Sequence, residues 1–342
     1  MKGWLLALAL LAACRSRDEP AARKAEPPPA DPVIEQPPAA PEAAAVSPPD
    51  AAPPGPSSAA VEPPGVPGAR LVARTSVQSF AVCGGSVYWC ENNRLRVAPV
   101  SGETNVRAVG RCQGGADVAC ASDGIYDCGD RGLVRLADGK ETVLVPSAVC
   151  LGLTADESHV YYIVPGFEGV PDPGVYRVAR AGGAPEKLYA RTPHEQYILA
   201  LADDALWIGT YGAGIIAKLS KSDGKVTVVV KGQKHMVDLK VDAGSLYWLI
   251  EDAAEVRRRA VRGGAVEVIG RGVWQEPLVV EQGHAWWFEG GDGEPKRLVH
   301  LAPGALAPDE VVGGLDRPWL VADENSLYLT QDGKPGIFAF AR

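Results

Sequence analysis

From residue 68 to the end, runs of Val, Leu, Ile, Tyr and Trp alternate with short interruptions of Gly, Asp and Pro. No long stretch keeps its apolar residues at helical spacing, so the pattern predicts an all-β protein. One unit recurs: a short apolar strand, a turn usually holding Asp, then a β-branched or Leu residue followed by aromatics. Its copies are VCGGSVYWC from Val82, CASDGIYDC from Cys120, TADESHVYYI from Thr154 and LADDALWIG from Leu201. VDAGSLYWLI from Val241, VEQGHAWWF from Val280 and VADENSLYLT from Val321 complete the set. The leading aromatics are Tyr88, Tyr126, Tyr161, Trp207, Tyr247, Trp286 and Tyr328, spaced by 38, 35, 46, 40, 39 and 42 residues.

Most units continue into a second hairpin whose turn carries Gly, as at Ser101-Gly102, Asp223-Gly224 and Gly263-Gly264. Each period of about 40 residues therefore supplies about four short antiparallel strands, the arithmetic of a seven-bladed β-propeller. The seventh unit ends after its third strand, near Gly336 to Arg342, while Ala69 to Arg74 reads as a strand left over at the start. If that strand completes the last blade, the ring closes between the two termini and no sheet edge is left there. The repeated aromatics are expected to pack blade against blade. The repeated Asp156, Asp203, Asp242 and Asp323 are expected to accept backbone hydrogen bonds in their turns.

Composition divides the 342 residues further. Lys2, an apolar run from Trp4 to Leu11 and the closing Leu11-Ala12-Ala13-Cys14 read as a signal peptide over 1–13, too short to span a bilayer. Residues 14–67 follow, of which 15–67 hold 16 of the 29 prolines and no aromatic residue. That composition predicts a disordered Pro/Ala-rich linker. The propeller is expected over 68–342. The formal net charge of −8 argues against a nucleic-acid partner.

Leu11 to Cys14 resembles the lipobox of bacterial lipoproteins. That resemblance implies lipidation of Cys14, including acylation, and a membrane anchor. Arg15 stands where inner-membrane retention usually has Asp, which points to the outer membrane. The loose Asp-x-x-x-Leu/Val-aromatic-aromatic unit resembles the repeats of bacterial propeller lipoproteins and periplasmic propellers. With its polar loop face and weak catalytic signals, the chain is expected to be a non-catalytic binding or assembly module for an envelope protein, peptide or glycan.

Six further cysteines fall in the first two blades and the start of the third, and export favours disulfides. The expected pairs are Cys83–Cys90 and Cys120–Cys128 across tight turns, leaving Cys112–Cys150. Loops between blades and loops between second and third strands should share one face. They offer Gln78, Gln113, His194, Glu195, Gln196, His235, Gln275, Glu276, Asp316 and Arg317 to a partner. The proline-stiffened insertion at 164–174 adds Phe167, Glu168 and Asp172, and the GTYGAG turn adds Tyr211. Five histidines lack metal-ligand spacing and no cofactor motif occurs, so neither metal nor cofactor is expected. The alternative is a lyase or lactonase working in the central opening, with His235 as base beside an acidic residue such as Glu195.

Overall fold

The structure is a computed structural model. It describes residues 66–342 apart from 78–79, 103–104, 113–117, 130, 138, 147, 149, 167–169, 171, 191–194, 203–204, 274–275 and 292. The expected signal peptide and Cys14, with the linker up to residue 65, lie outside the described residues.

Seven four-stranded antiparallel sheets account for the regular structure, and no helix occurs among the described residues. The innermost strand of each blade is its first: Phe80–Cys83, Ala119–Ala121, Leu151–Ala155, Tyr197–Ala202, Met236–Asp242, Val279–Glu281 and Trp319–Ala322. Each of these lies beside the first strands of the blades before and after it, and the seventh returns to the first. The result is the expected seven-bladed propeller. Its seventh blade is completed by Arg70–Ala73 paired with the C-terminal strand Lys334–Ala341.

The second strands explain why the units need neighbours. Successive side chains of a strand point to opposite faces. Tyr126 therefore packs with Val160, Tyr162 and Val178 of blade 3, while Trp89 packs with Tyr328 and Ile337 of blade 7. Burying each such side chain stabilises the fold by about 1.5–3 kcal/mol. A single four-stranded sheet has nothing to cover both faces, so the blades stabilise one another.

The repeated Asp works as expected where it is described. Asp156 Oδ1 accepts from the backbone N–H groups of Ser158 and His159 at 2.9 and 2.8 Å, and Asp323 does the same for Asn325 and Ser326. Its second oxygen accepts the leading tyrosine hydroxyl, Tyr161 at 2.9 Å and Tyr328 at 2.8 Å. Asp242 instead accepts from the backbone N–H of Gly283 in the next blade. Asp203 lies outside the described residues.

A basic residue just after the third strand fastens each of three blades to the one before it. Arg180 reaches from blade 3 to Asp123, Ser122 and the Tyr126 hydroxyl of blade 2. Lys221 of blade 4 pairs with Asp156 at 2.9 Å. Arg342 of blade 7 donates to the Glu281 carbonyl oxygen at 3.2 Å and covers the Trp286 ring.

The disulfides depart from the expected pairing. Cys90 bonds Cys112 and Cys128 bonds Cys150, with Cα separations of 5.8 and 6.0 Å, whereas Cys83 and Cys120 are free thiols. Cys83 faces Ser86 beside the turn, and Cys90 lies four residues farther along the second strand. At about 3.4 Å per residue those two are too far apart for a bridge, and the same holds for Cys120 and Cys128. Each disulfide instead ties the end of a second strand to the segment leaving the same blade. Both close a separation of 22 residues.

Candidate functional site

Between blades 4 and 5, loops of the mouth face are stitched together by backbone hydrogen bonds. Tyr211 N–H donates to the Gln196 carbonyl at 3.1 Å, His235 N–H to the Tyr211 carbonyl at 2.8 Å, and Glu251 N–H to the His235 carbonyl at 2.9 Å. Glu195 caps the GTYGAG turn, its carboxylate accepting from the backbone N–H groups of Gly212 and Ala213. His235 holds a left-handed backbone conformation, φ 59°, uncommon for a residue with a Cβ.

On this frame stands an aromatic and acidic cluster. The Tyr211 and His235 rings lie 5.0 Å apart, and Tyr211 donates its hydroxyl proton to Glu251 at 2.8 Å. That hydrogen bond holds the Tyr211 phenol above its ordinary range. His235 Nδ1 pairs with the Asp252 carboxylate. The His235–Glu195 pairing considered for catalysis is not made, because both Glu195 oxygens are occupied by the turn it caps and Asp252 is the nearer acid.

The other expected contact residues are dispersed. Asp172 pairs with Lys187 and accepts from the Tyr176 hydroxyl at 2.7 Å, all within blade 3. Glu276 is buried, and its carboxyl is pushed up to about 7 by loss of hydration, opposed by the charge of Lys296. The Asp316 backbone N–H donates to Gln331 Oε1 at 3.2 Å, and Arg317 pairs with Asp332 at 3.5 Å. Gln78, Gln113, Phe167, Glu168, His194 and Gln275 lie outside the described residues.

The central opening was expected as a possible site, but the residues that line it were not foreseen. The first strands of several blades enclose a cavity of about 430 Å³, lined by apolar groups such as Val82, Leu153, Leu278 and Leu320. Tyr88, Trp89, Trp319, Lys240 and Glu281 also line it, as does Asp127. Asp127 occupies the strand position that other blades fill with a large apolar side chain, and it is 1% exposed. Burial pushes its carboxyl up to about 6, although the Arg131 charge and the Cys128 backbone oppose the shift. The signal was present in the sequence: YDC in blade 2 stands against YWC in blade 1.

No protein-family description matches the chain, and no curated protein matches it. Among solved structures, the extracellular domain of the hybrid two component system BT4673 from B. thetaiotaomicron is similar over 81% of this chain and 43% of its own, with 12% identity and a TM-score of 0.58. YCF48 bound to D1 peptide is similar over 84% of this chain and 99% of its own, with 11% identity and a TM-score of 0.55. The computationally designed Ika8 protein covers 79% of this chain and 98% of its own, with 11% identity and a TM-score of 0.51. The chain is a β-propeller. At these identities the likeness is one of fold alone.

Proposed function

We propose that the protein is a lipid-anchored binding module of the cell envelope, held at the outer membrane through Cys14 and presenting its mouth face to a protein or peptide partner. The carrying observation is the cluster of Tyr211, His235, Glu251 and Asp252 on a loop frame already fixed by hydrogen bonds. Aromatic faces beside carboxylates attract cationic side chains, and a pre-ordered surface loses little entropy on binding. The partner segment is therefore basic. YCF48 shows that a propeller of this fold can hold a peptide.

The test is fluorescence anisotropy of a labelled lysine-rich peptide against a glutamate-rich one. The lysine-rich peptide binds, weakens as salt rises from about 50 to about 200 mM, and loses about fivefold in affinity with Glu251→Gln and Asp252→Asn together. Equal binding of both peptides would reject the reading. The anchor is tested separately, by metabolic labelling with a palmitate analogue that Cys14→Ser abolishes.

The His235–Asp252 pair favours one second reading, a lyase or lactonase in which Asp252 orients His235 as base. Turnover of a lactone panel that His235→Gln removes would select it.

A further inference from the structure

The cavity at the centre of the ring carries an inference independent of the rim cluster. Six blades place Trp89, Tyr162, Ile208, Trp248, Trp287 or Leu329 directly after the leading aromatic, and each is 2% exposed or less. The side chain there faces the preceding blade, as Trp89 does toward blade 7. Blade 2 has Asp127 at this position, where an indole or leucyl group would otherwise fill space. Asp127 and the Cys90–Cys112 disulfide line the same cavity, together with Val118 and Cys120.

Three buried polar atoms on this lining have no hydrogen-bond partner: Asp127 Oδ1 and the indole nitrogens of Trp89 and Trp319. Leaving a buried donor or acceptor unpaired is costly enough that most are satisfied in folded proteins. Here an acceptor carrying negative charge and two N–H donors belong to residues that line one space, with Lys240 and Glu281 as the other charged residues on its wall. Lys240, the lining cation, is paired with Asp238 at 2.9 Å. A volume of about 430 Å³ falls within the range of small-ligand sites, about 300–1,000 Å³.

We infer that this cavity binds a primary amine carried on an apolar, aromatic-sized body with a hydrogen-bond acceptor beside the amine. Asp127 takes the ammonium group, and the Trp89 and Trp319 N–H groups donate to the acceptor. Leu278, Leu320 and Val82 cover the apolar body. A free aromatic amine and the amino-terminal apolar residue of a peptide share this chemistry.

The experiment follows tryptophan fluorescence of the full chain titrated with phenylalaninamide, with acetyl-phenylalaninamide, and with a pentapeptide beginning in Phe with and without an acetyl cap. Phenylalaninamide is expected to saturate the signal, and acetylation to weaken binding at least tenfold. Asp127→Asn, nearly the same in shape, is expected to weaken it at least tenfold, and Asp127→Leu to abolish it by filling the space. Trp319→Phe removes one donor and is expected to weaken binding severalfold. Binding of the uncapped pentapeptide with the same dependence on Asp127 identifies a peptide amino terminus as the source, and its failure beside phenylalaninamide binding identifies free amines. The inference is overturned if neither uncapped probe saturates at millimolar concentration. It is overturned equally if the capped and uncapped forms bind alike, or if Asp127→Asn binds as the wild type does.

Discussion

Leu71 lies directly opposite Phe338 in the seventh blade, joining a strand from the start of the folded region to the last strand of the chain. Phe338 belongs to a buried cluster with Leu298, Leu320 and Leu329, and Leu71 packs against it. The pair fastens the ring, since without it the seventh sheet would keep an open outer edge. Phe338→Ala is expected to cost about 3–5 kcal/mol in urea unfolding. Leu71→Asp is expected to cost a comparable amount. A loss below about 1 kcal/mol for both would mean that closure does not depend on this pairing.

The Asp156–Lys221 contact makes stability depend on acid. Burial alone would raise the Asp156 carboxyl, but hydrogen bonds from Lys221, the Ser158 and His159 N–H groups and the Tyr161 hydroxyl outweigh it. They hold the carboxyl well below the usual range. A carboxyl depressed in the folded state contributes stability that is complete above the unfolded pKa of about 3.9 and is lost as pH falls toward the folded value. Asp156→Asn should therefore destabilise at pH 7 by about 1–3 kcal/mol, with the difference from wild type shrinking below about pH 4. Thermal melts across pH measure it.

Asp127 has the opposite sign. Its folded value of about 6 lies above the unfolded value, so the native state holds a proton that the unfolded state has released. Stability contributed by that proton is present at low pH and is lost as pH rises from about 4 through about 6. Arg131 and Glu141 are the charged groups acting on it. Asp127→Asn is expected to match wild type near pH 4 and to exceed it at pH 8 by about 1–3 kcal/mol, at about 1.4 kcal/mol per pKa unit. Chemical denaturation at both pH values decides this.

Cys83 and Cys120 sit on neighbouring first strands with their thiols hydrogen-bonded to each other. Donation from Cys120 stabilises the Cys83 thiolate and lowers its pKa, while the same contact raises that of Cys120. Iodoacetamide without reductant should label Cys83 first and leave Cys90, Cys112, Cys128 and Cys150 unmodified, as read by peptide mass mapping. Labelling of Cys90 or Cys128 would contradict the disulfides described here.

Legibility followed the range of the interaction. Strand alternation, the Asp turns and the seven aromatic positions are short-range patterns, each readable within ten residues or so. Counting them gave the number of blades and the strand needed to close the last one. The cysteine pairing was also partly legible, because Cys90 and Cys112 recur as Cys128 and Cys150 at the same spacing of 22. Proximity along the hairpin misled instead, since residues close in sequence can stand at opposite ends of paired strands.

The site was far less legible. Tyr211 and His235 stood out as polar loop residues, but which acid served each was set by loops arriving from a different part of the chain. His235 turned to Asp252, and Glu195 was consumed by the Gly212 and Ala213 N–H groups. The sequence alone settled that seven like units must pack around an axis, because a four-stranded sheet apolar on both faces cannot be stable in water by itself. Only the tertiary structure decided what each face meets. Asp127 in a row of large apolar residues is a single letter in the chain, and it becomes a charged group lining a central cavity once six other blades have packed around it.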